Sequence, residues 1–359
     1  MGGSNGLKKY IKDNNFCKIK NLIDITDIKL AIDASGVIHR AKIHSGNDKW
    51  FLQIINLIHK FSKYMIKPIF IFDGRPSIEK QNTIDQRKNR QDRIKQKITD
   101  IFDCDLFLDN DKLLKKKNLS KQLHSVKLDD TEICKQICIY FGIPFIHIKS
   151  LEADNIFPYL INEGIINGVY SEDNDMIRRG CNTVYFGLDF NLDTIYEFNY
   201  DEFLIKENIT KEQFNDAFDS SGTDCGTDNL EYCKFPQTIK LIKEYGNLEN
   251  VIANLNKINE GKQSRIIKVP KQFDFINVRR IFDRKLSEIV ITQIKDSIFG
   301  FQSIVDKVKI NYKDYSKILF DNIENICDNI YKINTYESKK YILQVKEYYK
   351  NAYNVIILK

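Results

Sequence analysis

The chain has 359 residues, of which 42% are apolar and 29% charged, and it carries a net charge of +6. That length suffices for roughly two domains with cores of their own, and no apolar run approaches the roughly 20 residues that span a bilayer. The opening "MGGSNGLKKY" lacks the apolar segment of an export signal, and Gly6 stands where a myristoylation motif needs Ser or Thr, so an intracellular protein is expected.

In chain order, "IKLAID" (28–33) reads as a first buried-type strand, Trp50 to Met65 as an amphipathic helix and "KPIFIFD" (67–73) as a second strand. A basic stretch of helical composition then interrupts the alternation, with eight Lys or Arg against three acids from Arg75 to Lys97 and "KKK" at 115–117. Such a block is either a solvated face or a phosphate-binding surface. Thr131 to Tyr140 is again helical, and here Cys134 and Cys138 fall one turn apart beside Ile133, Ile137 and Phe141. With no CxxC or His cluster to complete a zinc tetrahedron, they read as reduced core thiols. "IPFIHI" (143–148), the helix Ala153 to Asn162, "INGVYS" (166–171) and "NTVYFG" (182–187) continue the pattern, and "TIYEF" (194–198) suggests an edge strand. The alternation predicts an α/β domain with a largely parallel sheet. After about residue 200 strand signals stop, and "QTIKLIKEYGNLENVI" (237–252) opens a second, helical part.

Acids close these strands. Asp33 ends "LAID", Asp73 ends "IFIFD", Glu152 and Asp154 follow the third strand, and Asp173 and Asp175 follow the fourth in "SEDNDMIRRG". Ligands of open α/β sheets bind outside the carboxyl ends of the strands, so these acids would meet at one rim. Taken singly, each reads as a strand-end turn or a helix N-cap. As a set they would repel one another unless a divalent cation were present, and hard oxygen donors suit Mg²⁺ or Mn²⁺. Two such ions are an established device for phosphodiester hydrolysis. Alternation in the turn points Glu172 away from this set.

"AIDAS" (31–35), "FIFDGRPSIEKQ" (70–81), "GIPFI…EAD" (142–154), "SEDNDMIRRG" (171–180), "SGTDC" (221–225) and "KVPKQFDFINVRRIF" (268–282) together resemble, in order, the motifs of the flap endonuclease/XPG family of structure-specific 5′ nucleases. The resemblance covers about residues 1–283. It implies a PIN-like nuclease domain over 1–200, with a central, largely parallel sheet flanked by helices and a basic helical arch or cap at about 75–127. It further implies a helical DNA-binding region at 201–283; residues 284–359 fall outside the resemblance and read as a C-terminal helical extension of unknown role. The implied metal ligands are Asp33, Asp73, Glu152, Asp154, Asp173, Asp175 and Asp224, with Asp154 standing where the family usually has Glu. Lys80 and Arg87, two helical turns apart, match the two cations that reach the scissile phosphate. His39 falls where the family often has Tyr, which stacks on a base, and Gly2 falls in an N-terminal region that lies close to DNA. Arg90 reads as a peripheral DNA contact. The family's helix–two-turn–helix element is altered: Tyr232, Cys233, Lys234 and Phe235 surround a turn that lacks its glycines, so duplex grip would rest on side chains such as Lys234 and Lys240.

The resemblance thus implies a DNA endonuclease or 5′–3′ exonuclease using two Mg²⁺ ions, with Mn²⁺ as a substitute. It would act as a monomer on 5′ flaps, nicks or junctions in replication, repair or recombination. Its location would be the nucleus, or cytoplasmic replication sites for a viral protein. The alternatives are a Holliday-junction resolvase of the same family and an inactive junction-binding scaffold. The end of the chain interleaves Lys with Tyr and contains no clear sliding-clamp peptide.

Overall fold

The computed structural model describes residues 6–46, 49–76, 80–103, 110–223 and 228–305. Gly2, Asp224 and the Lys- and Tyr-rich end lie outside these stretches. Among the described residues one sheet contains β1 (Cys17–Asn21), β2 (Lys29–Asp33), β3 (Lys67–Phe72), β4 (Phe145–His147), β5 (Gly168–Tyr170), β6 (Thr183–Asp189) and β7 (Thr194–Asn199). Their order is β1-β7-β6-β5-β2-β3-β4. The five strands from β6 to β4 are parallel, and β7 and β1 add antiparallel pairings. The expected α/β architecture is therefore present.

Two details differ from the sequence reading. The strand expected at the edge, β7, is internal, because β1 pairs along its outer side. β1 itself, "CKIKN", escaped detection for a physical reason. An edge strand needs little apolar surface, its two lysines are what such edges carry, and its Ile19 points into solvent.

Helices cover both faces. α1 (Leu7–Asp13) precedes β1, while α2 (Ala34–Ser45), α3 (Trp50–Lys63) and, after the basic segment, α6 (Leu128–Tyr140) lie on one face. Between them α4 (Gln81–Asp103) and α5 (Asn110–Lys121) pack on each other and form the basic segment. The other face is covered by α7 (Phe157–Asn162), α8 (Asp175–Arg178), α9 (Tyr200–Glu207), α10 (Lys211–Ser221), α11 (Phe235–Tyr245) and α12 (Leu248–Ala253), followed by α13 (Leu255–Asn259), α14 (Phe275–Phe282) and α15 (Glu288–Val305). Strand alternation divides the two cores: Leu30 and Ile32 of β2 join the first, Ala31 the second. Cys134 and Cys138 are buried free thiols in the first core, as expected. Among the described residues no helix is long and apolar enough to cross a membrane.

Charged groups fasten the helical part to the sheet. Arg178, 2% exposed, donates from Nε and Nη2 to Asp219 of α10 at 2.7 and 2.9 Å. Asp216, one turn earlier, accepts from the Leu248 N–H at 3.0 Å and from Arg279 of α14 at 2.6 Å. α8 is thereby tied to α10, and α10 to α12 and α14.

Candidate active site

β2 lies between β3 and β5, so the chain reverses its direction of travel across the sheet beside β2. The crevice at such a switch point opens at the carboxyl ends of the flanking strands. Asp33 sits there, 8% exposed, at the N-cap of α2, accepting from the Gly36 N–H at 2.9 Å. The Ser171 hydroxyl, just beyond β5, donates to its other oxygen at 2.8 Å. Ser171 also accepts from the Asp173 N–H at 3.0 Å, and Asp173 accepts from the Asp175 N–H at 3.1 Å. Asp175, 1% exposed, then opens α8. The ends of β2 and β5 are therefore joined by one continuous hydrogen-bonded chain.

The β3 and β4 ends are joined by backbone. Gly74 donates its N–H to Leu151 and Arg75 donates to Lys149, both at 2.8 Å. The Asp73 carboxylate accepts from the Ala153 N–H at 2.9 Å, which brings it beside Glu152. Lys80, immediately before α4, places its ammonium 3.1 Å from Glu152 and 3.7 Å from Asp154. Gly74 is what allows the two loops to meet, since a Cβ there would lie 2.2 Å from the Ile148 carbonyl oxygen. Gly74→Ala is expected to cost about 1–3 kcal/mol of stability. By moving Asp73, it should also slow any reaction at this rim about 10²-fold. Chemical denaturation and steady-state rates on the same preparation check both.

Asp33 experiences its neighbours electrostatically. Burial, with the charges of Asp73 and Asp154 added, pushes its carboxyl up to about 7. The folded chain then binds a proton that the unfolded chain releases above pH 3.8, the ordinary value for this carboxyl. This contribution to stability is complete below the unfolded value and is lost as pH rises through about 7. In EDTA, the contribution of Asp33 should fall by up to about 1 kcal/mol per pH unit across that window. Urea unfolding at several pH values should show the decline, and Asp33→Asn should flatten it.

The remaining candidates lie around this rim. Arg87 and Arg90 are exposed on α4, whereas Lys80 turns into the acids. His39, half-buried on α2, is held below its usual pKa by burial, and Arg87 and His124 add their charges. Lys234 and Lys240 are exposed at the start and on the outer face of α11. In the altered turn before α11, Tyr232 adopts φ 57° and is 63% exposed. The left-handed conformation that a glycine would take freely is thus carried by a tyrosine, at a cost of about 1–2 kcal/mol. Glu172 points away from the acids, as expected: it accepts from the Gly187 N–H at 2.8 Å and pairs with Lys8 and Arg40.

The donor set is chemically suited to a hard divalent cation: carboxylates from four strand ends, one of them raised in pKa by its burial and, to a lesser degree, by Asp73 and Asp154. Among the described residues no three acidic, His or Cys side chains already form a metal-binding cluster. The Lys80 ammonium supplies the positive charge between Glu152 and Asp154. Sequence reasoning missed Ser171 and Gly74. The small, hydroxylated residue two before Asp173 and the glycine directly after Asp73 were the available signals.

An XPG N-terminal domain model matches residues 1–94. A probable RAD2-like endonuclease, 369L of Invertebrate iridescent virus 6, is 26% identical over 338 residues, spanning 78% of this chain and 79% of its own length. Flap endonuclease 1 of Glycine max is 27% identical over 312 residues, spanning 82% and 77% respectively. The fold is that of the catalytic core of Rad2 in complex with DNA substrate, with TM-score 0.60 at 17% identity, covering 96% of this chain and all (100%) of that one. Human GEN1 in complex with Holliday junction DNA gives 0.52 at 14% identity, covering 93% and 80%. The chain is thus similar to the XPG N-terminal domain over residues 1–94 and to RAD2-like and flap endonucleases over most of its length, and it shares the fold of the Rad2 catalytic core.

Proposed function

We propose that this nuclease hydrolyses DNA phosphodiester bonds at 5′ flaps, nicks or junctions with two Mg²⁺ ions, leaving 5′-phosphate and 3′-hydroxyl ends. The observation that carries the reading is Asp33, raised in pKa by burial first and by the charges of Asp73 and Asp154 in addition, at a rim where Lys80 spans Glu152 and Asp154. A set of acids this crowded destabilises itself and repels DNA, which a non-cleaving scaffold would have no use for.

In this reading Asp33, Asp73, Glu152, Asp154, Asp173 and Asp175, with Asp224, would hold the metal ions. When bound, Mg²⁺ supplies Lewis acidity toward the scissile phosphate. Ser171 keeps the Asp33 carboxylate oriented toward the rim, and Gly74 keeps Asp73 beside Glu152. Lys80 and Arg87 complement the phosphoryl oxygens with positive charge. His39 offers a stacking face to a base, smaller than that of a tyrosine. Arg90, Lys234, Lys240 and Gly2 contact the DNA backbone, fixing position rather than sequence.

Labelled 5′-flap, nicked-duplex and four-way-junction DNA, each with Mg²⁺ and with EDTA, test the reading side by side. Metal-dependent cutting is expected, fastest on the flap. A folded protein that binds these substrates tightly and cuts none of them would refute it, and preference for the four-way junction would make the chain a resolvase.

A further inference from the structure

The short helix α8 has Asp175 at its first position and Arg178 at its last, and Arg179 follows. On that far side, between α7 and the segment joining α14 to α15, lies a cavity of about 530 Å³. Five cations line it, Arg178, Arg179, Lys211, Arg284 and Lys285, against a single acid, Asp283. Arg178 is committed to Asp219, and its Nη1 lies 3.2 Å from Asp283, so the one acid already has a partner.

Arg179 is placed differently. It donates from Nη1 to the neutral Asn155 amide oxygen at 2.9 Å, and its guanidinium lies 5.0 Å from the Phe282 ring centroid, which fixes its plane. Its Nε is buried with no hydrogen-bond partner among the described residues, and so is the Tyr159 hydroxyl on α7. Buried donors without an acceptor are rare, and both residues line this cavity. Charge and donors specify an anion with several acceptor oxygens. The volume is that of a small-molecule site, far larger than a phosphate alone, and Pro158, Leu286 and Ile291 add apolar surface for a ring.

We infer that this cavity binds a small phosphate-bearing ligand of mononucleotide size, at a site separate from the acid rim. The same chemistry is offered by a free nucleotide and by the 5′-phosphorylated end of a DNA strand. The site adjoins the rim through two elements, because Asn155 follows Asp154 and Arg179 lies four residues after Asp175.

Calorimetric titration of the full chain in EDTA, where phosphate has no metal to ligate, tests the site with dAMP, adenosine and a 5′-phosphorylated oligonucleotide. Binding of dAMP should weaken about tenfold or more in Arg179→Gln and in Lys285→Gln, and adenosine should bind at least about tenfold more weakly than dAMP. Lys285 is exposed, so its variant decides the matter even if Arg179→Gln does not fold. If the oligonucleotide shows this sensitivity and dAMP does not bind, the ligand is a strand end. Equal dAMP and oligonucleotide affinities in wild type and variants, or adenosine binding as tightly as dAMP, would overturn the inference.

Discussion

Asp173→Ala is expected to lower Mg²⁺-dependent cleavage of a 5′-flap substrate about 10³-fold while leaving the fold intact. A ligand that holds a catalytic metal supports several kcal/mol of transition-state stabilisation, and about 4 kcal/mol corresponds to that factor. Asp173 is half-buried in the turn after β5, where its carboxylate accepts from the Asp175 N–H at 3.1 Å. A purely structural role would rest on that acceptor. Asp173→Asn keeps a carbonyl oxygen in place and removes the charge, so it separates the two possibilities. The Asn variant should match wild type in thermal unfolding and match the Ala variant in inactivity. An Asn variant that cuts at nearly the wild-type rate would remove Asp173 from the metal set.

Arg178→Ala should destabilise the chain by about 3–5 kcal/mol, the range for breaking one partner out of a buried pair. The Arg178 and Asp219 side chains are 2% and 0% exposed, so deleting the guanidinium leaves a carboxylate with neither water nor a countercharge. The loss is a large fraction of the roughly 5–15 kcal/mol that holds a typical domain together. It should show as a lower urea midpoint. Because most of the cost is the stranded acid, Arg178→Ala combined with Asp219→Leu should recover stability relative to Arg178→Ala alone, giving a coupling detectable in a double-mutant cycle. Arg178→Lys should not rescue, since one ammonium cannot donate to both Asp219 oxygens in a planar fork. A loss below about 1 kcal/mol in Arg178→Ala would show that the pair contributes little net stabilisation.

Much of the fold and of the candidate site is legible along the chain. Apolar runs such as "KPIFIFD" report buried parallel strands because both faces of those strands need apolar cover. The acids at their ends stand out because a charge is costly in that setting unless it is used. Glu172 could be separated from Asp173 and Asp175 by alternation alone, and it does point away. β1 could not be found this way. Its edge position asks for almost no apolar signal, so it existed as a strand only once β7 was there to pair with it.

What the sequence determined by itself, then, was local: which segments are strands and helices, and which residue types close them. Tertiary structure alone decided that Lys80 lies between Glu152 and Asp154, that Ser171 holds Asp33, and that Gly74 lets two loops zip together. It also decided that Arg178 is spent on Asp219 while the adjacent Arg179 keeps a buried N–H without an acceptor. Periodicity is imposed residue by residue by the backbone, so one strand displays it. A pairing across the sheet depends on strand order and loop contact, which no single segment contains.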